Sequence, residues 1–153
     1  MAVDIEFFDT SVLVAGLVDL GHASTAPRRA LIAATSRRAA RPHTAWHCCL
    51  EFYAVTTRLP EELRLSPEAA LALLEENVLQ RFTVKQLPDK AEAAFLREAA
   101  RSKLGGGRIY DAHIAEIARF SGASLVVTEN VRHFRSLERH GLRVVSASEY
   151  PGS

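Results

Sequence analysis

Short apolar runs alternate with segments of helical period along this chain, and neither kind is repeated twice in succession for long. Residues 3–8, Val3-Asp4-Ile5-Glu6-Phe7-Phe8, read as a strand from their β-branched and aromatic content. Asp9-Thr10-Ser11 then offers cap chemistry for a helix beginning near Val12. A second helix is predicted over 24–39, with Pro27 in its first turn. A short strand is expected near Ala40–His43, after which Thr44 can cap a helix running to about Leu59, where Pro60 ends it. Ser66-Pro67-Glu68 opens another helix reaching about Leu79. Phe82–Leu87 alternates as a strand does, and Pro88 starts a helix extending to Ser102. After the break at Gly105-Gly106-Gly107 come a helix over 109–121 and a short apolar strand over Ser124–Thr128. A helix near 131–140, a stop at Gly141 and a last strand over Leu142–Ser146 complete the pattern. Strands separated by helices predict a three-layer α/β/α sandwich around a central, mostly parallel sheet.

The length of 153 residues suits one domain, taken as residues 1–150, with a substantial core. Apolar residues at 48% and charged residues at 24% are ordinary for a soluble protein, which argues against a disordered or membrane-embedded class. No run approaches the roughly 18 apolar residues of a membrane span. The first residues carry Asp4 and Glu6 and no basic stretch, unlike a signal peptide. Cys48 and Cys49 are adjacent in an apolar run, cannot readily bridge each other in a helix, and fit a reducing compartment. A soluble, cytoplasmic protein is expected. The net charge of +1 says little about partners. Basic clusters at Arg28, Arg29, Arg37, Arg38 and Arg41, and at Arg97, Arg101, Lys103 and Arg108, permit a polyanion, although such clusters are more often solvated helix faces.

Three carboxylates interrupt stretches that should otherwise be buried. Asp9 closes the first strand, Glu51 lies within Cys48-Cys49-Leu50-Glu51-Phe52-Tyr53-Ala54-Val55, and Asp111 opens the helix Ile109-Tyr110-Asp111-Ala112-His113-Ile114-Ala115. Each has an ordinary structural explanation: a helix cap for Asp9, backbone hydrogen bonding at the core edge for Glu51, and a favourable first-turn charge for Asp111. Burying a carboxylate without a partner is costly, however, and no Lys or Arg sits at helical spacing to neutralise Glu51 from the core side. One hard divalent cation, Mg²⁺ or Mn²⁺, explains all three together. Asp9 and Asn130 also follow predicted strand ends, where open parallel sheets bind ligands.

Phe7-Phe8-Asp9-Thr10-Ser11-Val12-Leu13, Leu50-Glu51-Phe52, Ile109-Tyr110-Asp111-Ala112 and Leu125-Val126-Val127-Thr128-Glu129-Asn130-Val131-Arg132-His133-Phe134 occur in this order. Together they resemble the PIN-domain family over about residues 5 to 146, and within it the ribonuclease toxins of the VapC type. The resemblance implies a PIN-like fold and metal-dependent hydrolysis of RNA phosphodiester bonds by the toxin of a toxin–antitoxin pair. Asp9, Glu51 and Asp111 stand at the family's acidic catalytic and metal positions. Ser11, Thr128 and Asn130 would orient substrate or metal, and Lys103, Arg108 and Arg132 are candidate RNA contacts. Many members carry Asp where this chain has Asn130, which weakens the case for a second metal and leaves Glu129 as a rival for that position. A homodimer and a small antitoxin are the implied partners.

Two rival functions follow from the same residues. Asn130 in place of an acid motivates a catalytically weak RNA- or protein-binding module, and a PIN nuclease of RNA maturation without an antitoxin is a third reading. The helix over 66–79, with Leu71, Leu73, Leu74 and Val78, can offer partner surface, although packing in its own core explains it as well. His43, His47, Cys48 and Cys49 lack the spacing of a zinc site, and Gly105-Gly106-Gly107 lacks the Walker pattern. His113, His133 and His140 show no partner in the sequence, and no GxSxG elbow is present.

Overall fold

The computed structural model describes residues 4–152; Val3, with which the predicted first strand opens, lies outside the described residues. Among the described residues five short strands form one sheet: β1 (Glu6–Phe8), β2 (His43–Ala45), β3 (Thr83–Lys85), β4 (Leu125–Val127) and β5 (Arg143–Val145). Their order is β3-β2-β1-β4-β5, and every neighbouring pair is parallel. β1 and β4 are buried throughout, as strands covered on both faces must be.

The principal helices are α1 (Thr10–Leu17), α2 (Thr25–Thr35), α3 (Trp46–Thr56), α4 (Pro67–Leu74), α5 (Asp89–Arg101), α6 (Arg108–Phe120) and α7 (Val131–Phe134). α1 packs on α2 and α3, and α3 on α4; separately, α6 packs on α5 and α7. Right-handed crossovers place the first group on one face of the sheet and the second on the other, because the chain reverses its direction across the sheet after β3. The α/β/α sandwich anticipated from the pattern is therefore the observed architecture. α1 and α2 meet at Gly16, where a Cβ would collide with the Leu31 side chain.

Several boundaries differ from expectation for identifiable reasons. α1 begins at Thr10, two residues early, with the Asp9 backbone carbonyl accepting from Val12 N (3.1 Å) and Leu13 N (3.3 Å). α2 ends at Thr35 rather than near 39, where the Thr35 and Ser36 hydroxyls bond back to carbonyls of the last turn and compete with continuation. The second strand lies at His43–Ala45, so Thr44 is a strand residue. Its hydroxyl donates to Phe8 O (2.8 Å) across the sheet instead of capping α3. α4 passes into a π-helical turn over Glu75–Leu79, which its residue pattern did not anticipate. The predicted helix near 131–140 is α-helical only to Phe134 and continues as a 3₁₀ turn over Arg135–His140. Ser66 caps α4 as expected, accepting from Ala69 N (3.1 Å).

Leu74 and Val78 are buried in the core, so these two do not supply partner surface, whereas Leu71 is exposed. Among the described residues no helix is long and apolar enough to cross a membrane. Cys48 and Cys49 are free and buried.

Candidate active site

The order of the strands reverses around β1, and a crevice opens at the carboxyl ends of such strands. Asp9 leaves β1 at this point. Although it holds the cap position of α1, its side chain makes no cap hydrogen bond. Instead Asp9 Oδ2 accepts from Ser11 Oγ (2.9 Å) and from Thr128 Oγ1 (2.8 Å), the latter at the end of β4. Both hydroxyls are themselves oriented, because Ser11 Oγ accepts from Glu129 N (2.9 Å) and Thr128 Oγ1 from Asn130 N (3.0 Å). Burial pushes the Asp9 carboxyl above its ordinary value; these hydroxyls and the Thr10 backbone oppose the rise, while nearby Asp111 adds to it.

Glu51 lies in the second turn of α3 and accepts from Thr10 Oγ1 through Oε1 (2.8 Å), a side-chain partner in place of the backbone partner considered above. Asp111 is in the first turn of α6, where its charge suits the helix dipole, and its Oδ2 is 2.8 Å from His133 Nδ1. Asp9, Glu51 and Asp111 line one cavity of about 270 Å³, together with Thr10, Ser11 and Asn130 and an apolar side that includes Val14 and Val55. The structure thus brings the three carboxylates to one cavity from three separate stretches of chain. They face it rather than clasp it: among the described residues, no three His, Cys, Asp or Glu side chains converge closely enough to hold an ion as they stand.

Asn130 lines the cavity, whereas Glu129 turns away and accepts from Ala147 N through Oε1 (2.8 Å). Thr128 is fully buried behind Asp9. Lys103, Arg108 and Arg132 are exposed and do not line the cavity.

The PIN-domain family model matches residues 7–139. The chain belongs to the PIN-domain family. This PIN domain is 36% identical over 107 residues to Ribonuclease VapC27 of Mycobacterium tuberculosis, covering 67% of the chain and 72% of that protein. It is 31% identical over 131 residues to Ribonuclease VapC40 of the same organism, covering 86% of the chain and 90% of that protein. Its fold matches DNA-bound VapBC from Salmonella typhimurium with a TM-score of 0.64 at 23% identity, covering 95% of this chain and 99% of that one.

Several groups around this PIN-domain cavity were assigned no role from the sequence. Thr10 ties Glu51 to α1, and His133 ties Asp111 to α7. His47 Nδ1 lies 2.8 Å from His113 Nδ1, and His113 Nε2 lies 2.8 Å from Glu92 Oε1. Only His47 carried a visible signal, since it stands four residues before Glu51 on one helix face. The neighbouring thiols are poor candidates for chemistry: burial pushes Cys48 up to about 12 and Cys49 up to about 11, leaving both protonated at neutral pH.

The cavity suits a hard divalent cation. Carboxylate and amide oxygens of Asp9, Glu51, Asp111 and Asn130 are its usual donor set. The buried Asp9 carboxyl, hydrogen-bonded only by neutral groups, is the one that a cation would relieve most.

Proposed function

We propose that this chain is a Mg²⁺- or Mn²⁺-dependent endoribonuclease and the toxin of a toxin–antitoxin pair, built as a single PIN unit over residues 1–150. The observation that carries the reading is the gathering of Asp9, Glu51 and Asp111 at one small cavity at the strand ends. The two ribonuclease relatives support the substrate class, and the VapBC fold match supports a small antitoxin partner. A bound divalent cation supplies an activated water and polarises the scissile phosphate. Asp9, Asp111 and Glu51 would hold it. Ser11 and Thr128 fix the direction of the Asp9 carboxylate, Thr10 that of Glu51, and His133 that of Asp111. Asn130 presents a neutral amide to the cavity, able to accept through oxygen or donate through nitrogen to a phosphate. Lys103, Arg108 and Arg132 are exposed cations available to a longer RNA path. The buried protonated thiols fit a reducing cytoplasm, and the exposed apolar side chains Trp46, Leu50, Leu96 and Tyr110 around a groove of about 660 Å³ support a homodimer.

The test is cleavage of a mixed cellular RNA pool by protein freed of any partner, with Mn²⁺, Mg²⁺ or EDTA, beside Asp9→Asn. Metal-dependent fragments absent from the variant are expected; equal fragments from both proteins would remove the reading. A second reading, a PIN module that binds RNA or protein without cutting, is favoured by one observation: the fourth polar position is neutral Asn130 while Glu129 is spent on Ala147 N. RNA binding without cleavage, by protein that binds Mn²⁺, would favour that module. A PIN nuclease of RNA maturation is separated from a toxin by whether a small partner copurifies.

A further inference from the structure

Three side chains that line the apolar groove, Glu92, His113 and His47, lead to Glu51, which lines both the groove and the acidic cavity. Glu92 on α5 faces His113 Nε2 with both oxygens (2.8 and 3.0 Å). His113 on α6 meets His47 on α3 through their Nδ1 atoms (2.8 Å). His47 Nε2 then points at Glu51 Oε1 across 3.9 Å. The rings are held by packing, with Phe95 against His113 at 5.2 Å and Tyr110 edge-on to His47 at 5.9 Å between centroids.

The hydrogen positions follow from the ends of this line. An ionised carboxylate only accepts, so Glu92 requires the His113 proton on Nε2. In the tautomer with that single proton, His113 Nδ1 is an acceptor, and the proton between the two rings belongs to His47 Nδ1, with His47 Nε2 as the outward nitrogen. That leaves a lone pair on His47 Nε2, aimed at Glu51 Oε1, which already accepts from Thr10. At 3.9 Å the two atoms are too far apart for a hydrogen bond, and in this tautomer both are acceptors that a positive centre between them would satisfy. Asp9 and Asp111 also lie within electrostatic reach of the His47 ring. A carboxylate behind a histidine whose outer nitrogen is bare is the arrangement by which proteins orient imidazole ligands, here with one further histidine interposed.

We propose that His47 Nε2 is a nitrogen ligand, beside Glu51, of the divalent cation in this site, with Glu92 and His113 as the positioning residues that fix its tautomer. This rests on the metal-dependent reading above. Its consequence is selectivity: adding imidazole to an oxygen donor set favours Mn²⁺ and later first-row ions over Mg²⁺.

The test uses Mn²⁺ as the probe and electron spin echo envelope modulation of the full chain, prepared with ordinary or ¹⁵N-labelled histidine. A nitrogen modulation that changes with the label, and is lost in both His47→Gln and Asp9→Asn, is expected. In parallel, Glu92→Gln is expected to weaken Mn²⁺ binding about tenfold, the usual cost of losing such an orienting partner, with a smaller change for Mg²⁺. Asp9-dependent Mn²⁺ binding without nitrogen modulation, or with modulation surviving in His47→Gln, would overturn the inference and leave the nuclease reading standing. Absence of any Asp9-dependent Mn²⁺ binding would remove both. If a variant fails to fold, the labelled unsubstituted protein still overturns the inference when it binds Mn²⁺ without nitrogen modulation.

Discussion

Two buried carboxylates three residues apart, Glu6 at the start of β1 and Asp9 just beyond its end, are treated by the fold in opposite ways. Glu6, at the start of the strand, is neutralised: Arg37 reaches its Oε1 at 2.7 Å and the Tyr150 hydroxyl donates to it at 2.5 Å. Asp9, just past the end of the same strand, receives neutral donors, the hydroxyls of Ser11 and Thr128 and the Thr10 backbone, and lies close to another acid, Asp111. A buried carboxylate given a guanidinium serves the fold. One given neutral donors, at the switch point of a parallel sheet and on the wall of a cavity, keeps its charge available to something that enters. Burial alone therefore does not mark a functional acid; the missing counter-charge does.

The largest expected effect breaks the comparison at Asp9. Asp9→Asn removes the charge but keeps an acceptor for Ser11 and Thr128, so metal-dependent RNA cleavage should fall to background. The same variant should melt higher than the parent in EDTA at neutral pH. The sign follows from the raised Asp9 value. Below the unfolded carboxyl value of about 3.9 the group is neutral in both states and burial costs nothing. As pH rises through the higher folded value, ionisation in the buried site removes stability. The gap in melting temperature between Asp9→Asn and the parent should thus open from pH 4 to neutrality and narrow on adding Mn²⁺. A gap independent of pH would show that Asp9 ionisation does not tax the fold.

Next come the hydroxyls that orient Asp9. Ser11→Ala and Thr128→Val should each weaken Mn²⁺ binding by about 10–100-fold, measured by calorimetry. Thr128→Val should also lower stability, since Asn130 N loses its acceptor. Glu6→Gln probes the other end of the strand and should give the reverse profile. Chemical denaturation should show a loss of about 1–3 kcal/mol as the Arg37 pair breaks, with RNA cleavage per folded molecule unchanged. The smallest effect is expected at Glu129→Gln. The amide oxygen still accepts from Ala147 N, so both stability, within about 0.5 kcal/mol, and cleavage should hold. A collapse of cleavage in Glu129→Gln would make Glu129, rather than Asn130, the fourth polar group of the site.

The legible parts of the fold were those in which local and global demands agree. The apolar run Leu125-Val126-Val127 has no alternative to a buried central strand, and the 3.6-residue spacing of Ile114, Ile117 and Ala118 buries one face of α6. Two of the misread boundaries turned on hydroxyl residues. Thr44 looks like a helix cap in sequence, yet its place between β1 and β3 makes it a bond to Phe8 O, and Ser36 ends α2 four residues before the apolar and basic pattern changes. A hydroxyl serves equally as cap, cross-strand tie or helix stop, and its neighbours in space choose among these.

The amino-acid sequence by itself determined the order of strands and helices, the sandwich they form, and the three acids that interrupt apolar stretches. These follow from periodicity and from the cost of buried charge, both local properties of the chain. Tertiary structure alone decided which acid is neutralised and which is not. Arg37 reaches Glu6 across 31 residues and Thr128 reaches Asp9 across 119, as read from their positions. It also turned Glu129 outward, brought Asn130 to the cavity and lined up Glu92, His113 and His47 behind Glu51. Hydrogen bonds act over about 3 Å, so the aim of a side chain is set by what the fold places beside it and leaves no trace in spacing along the chain.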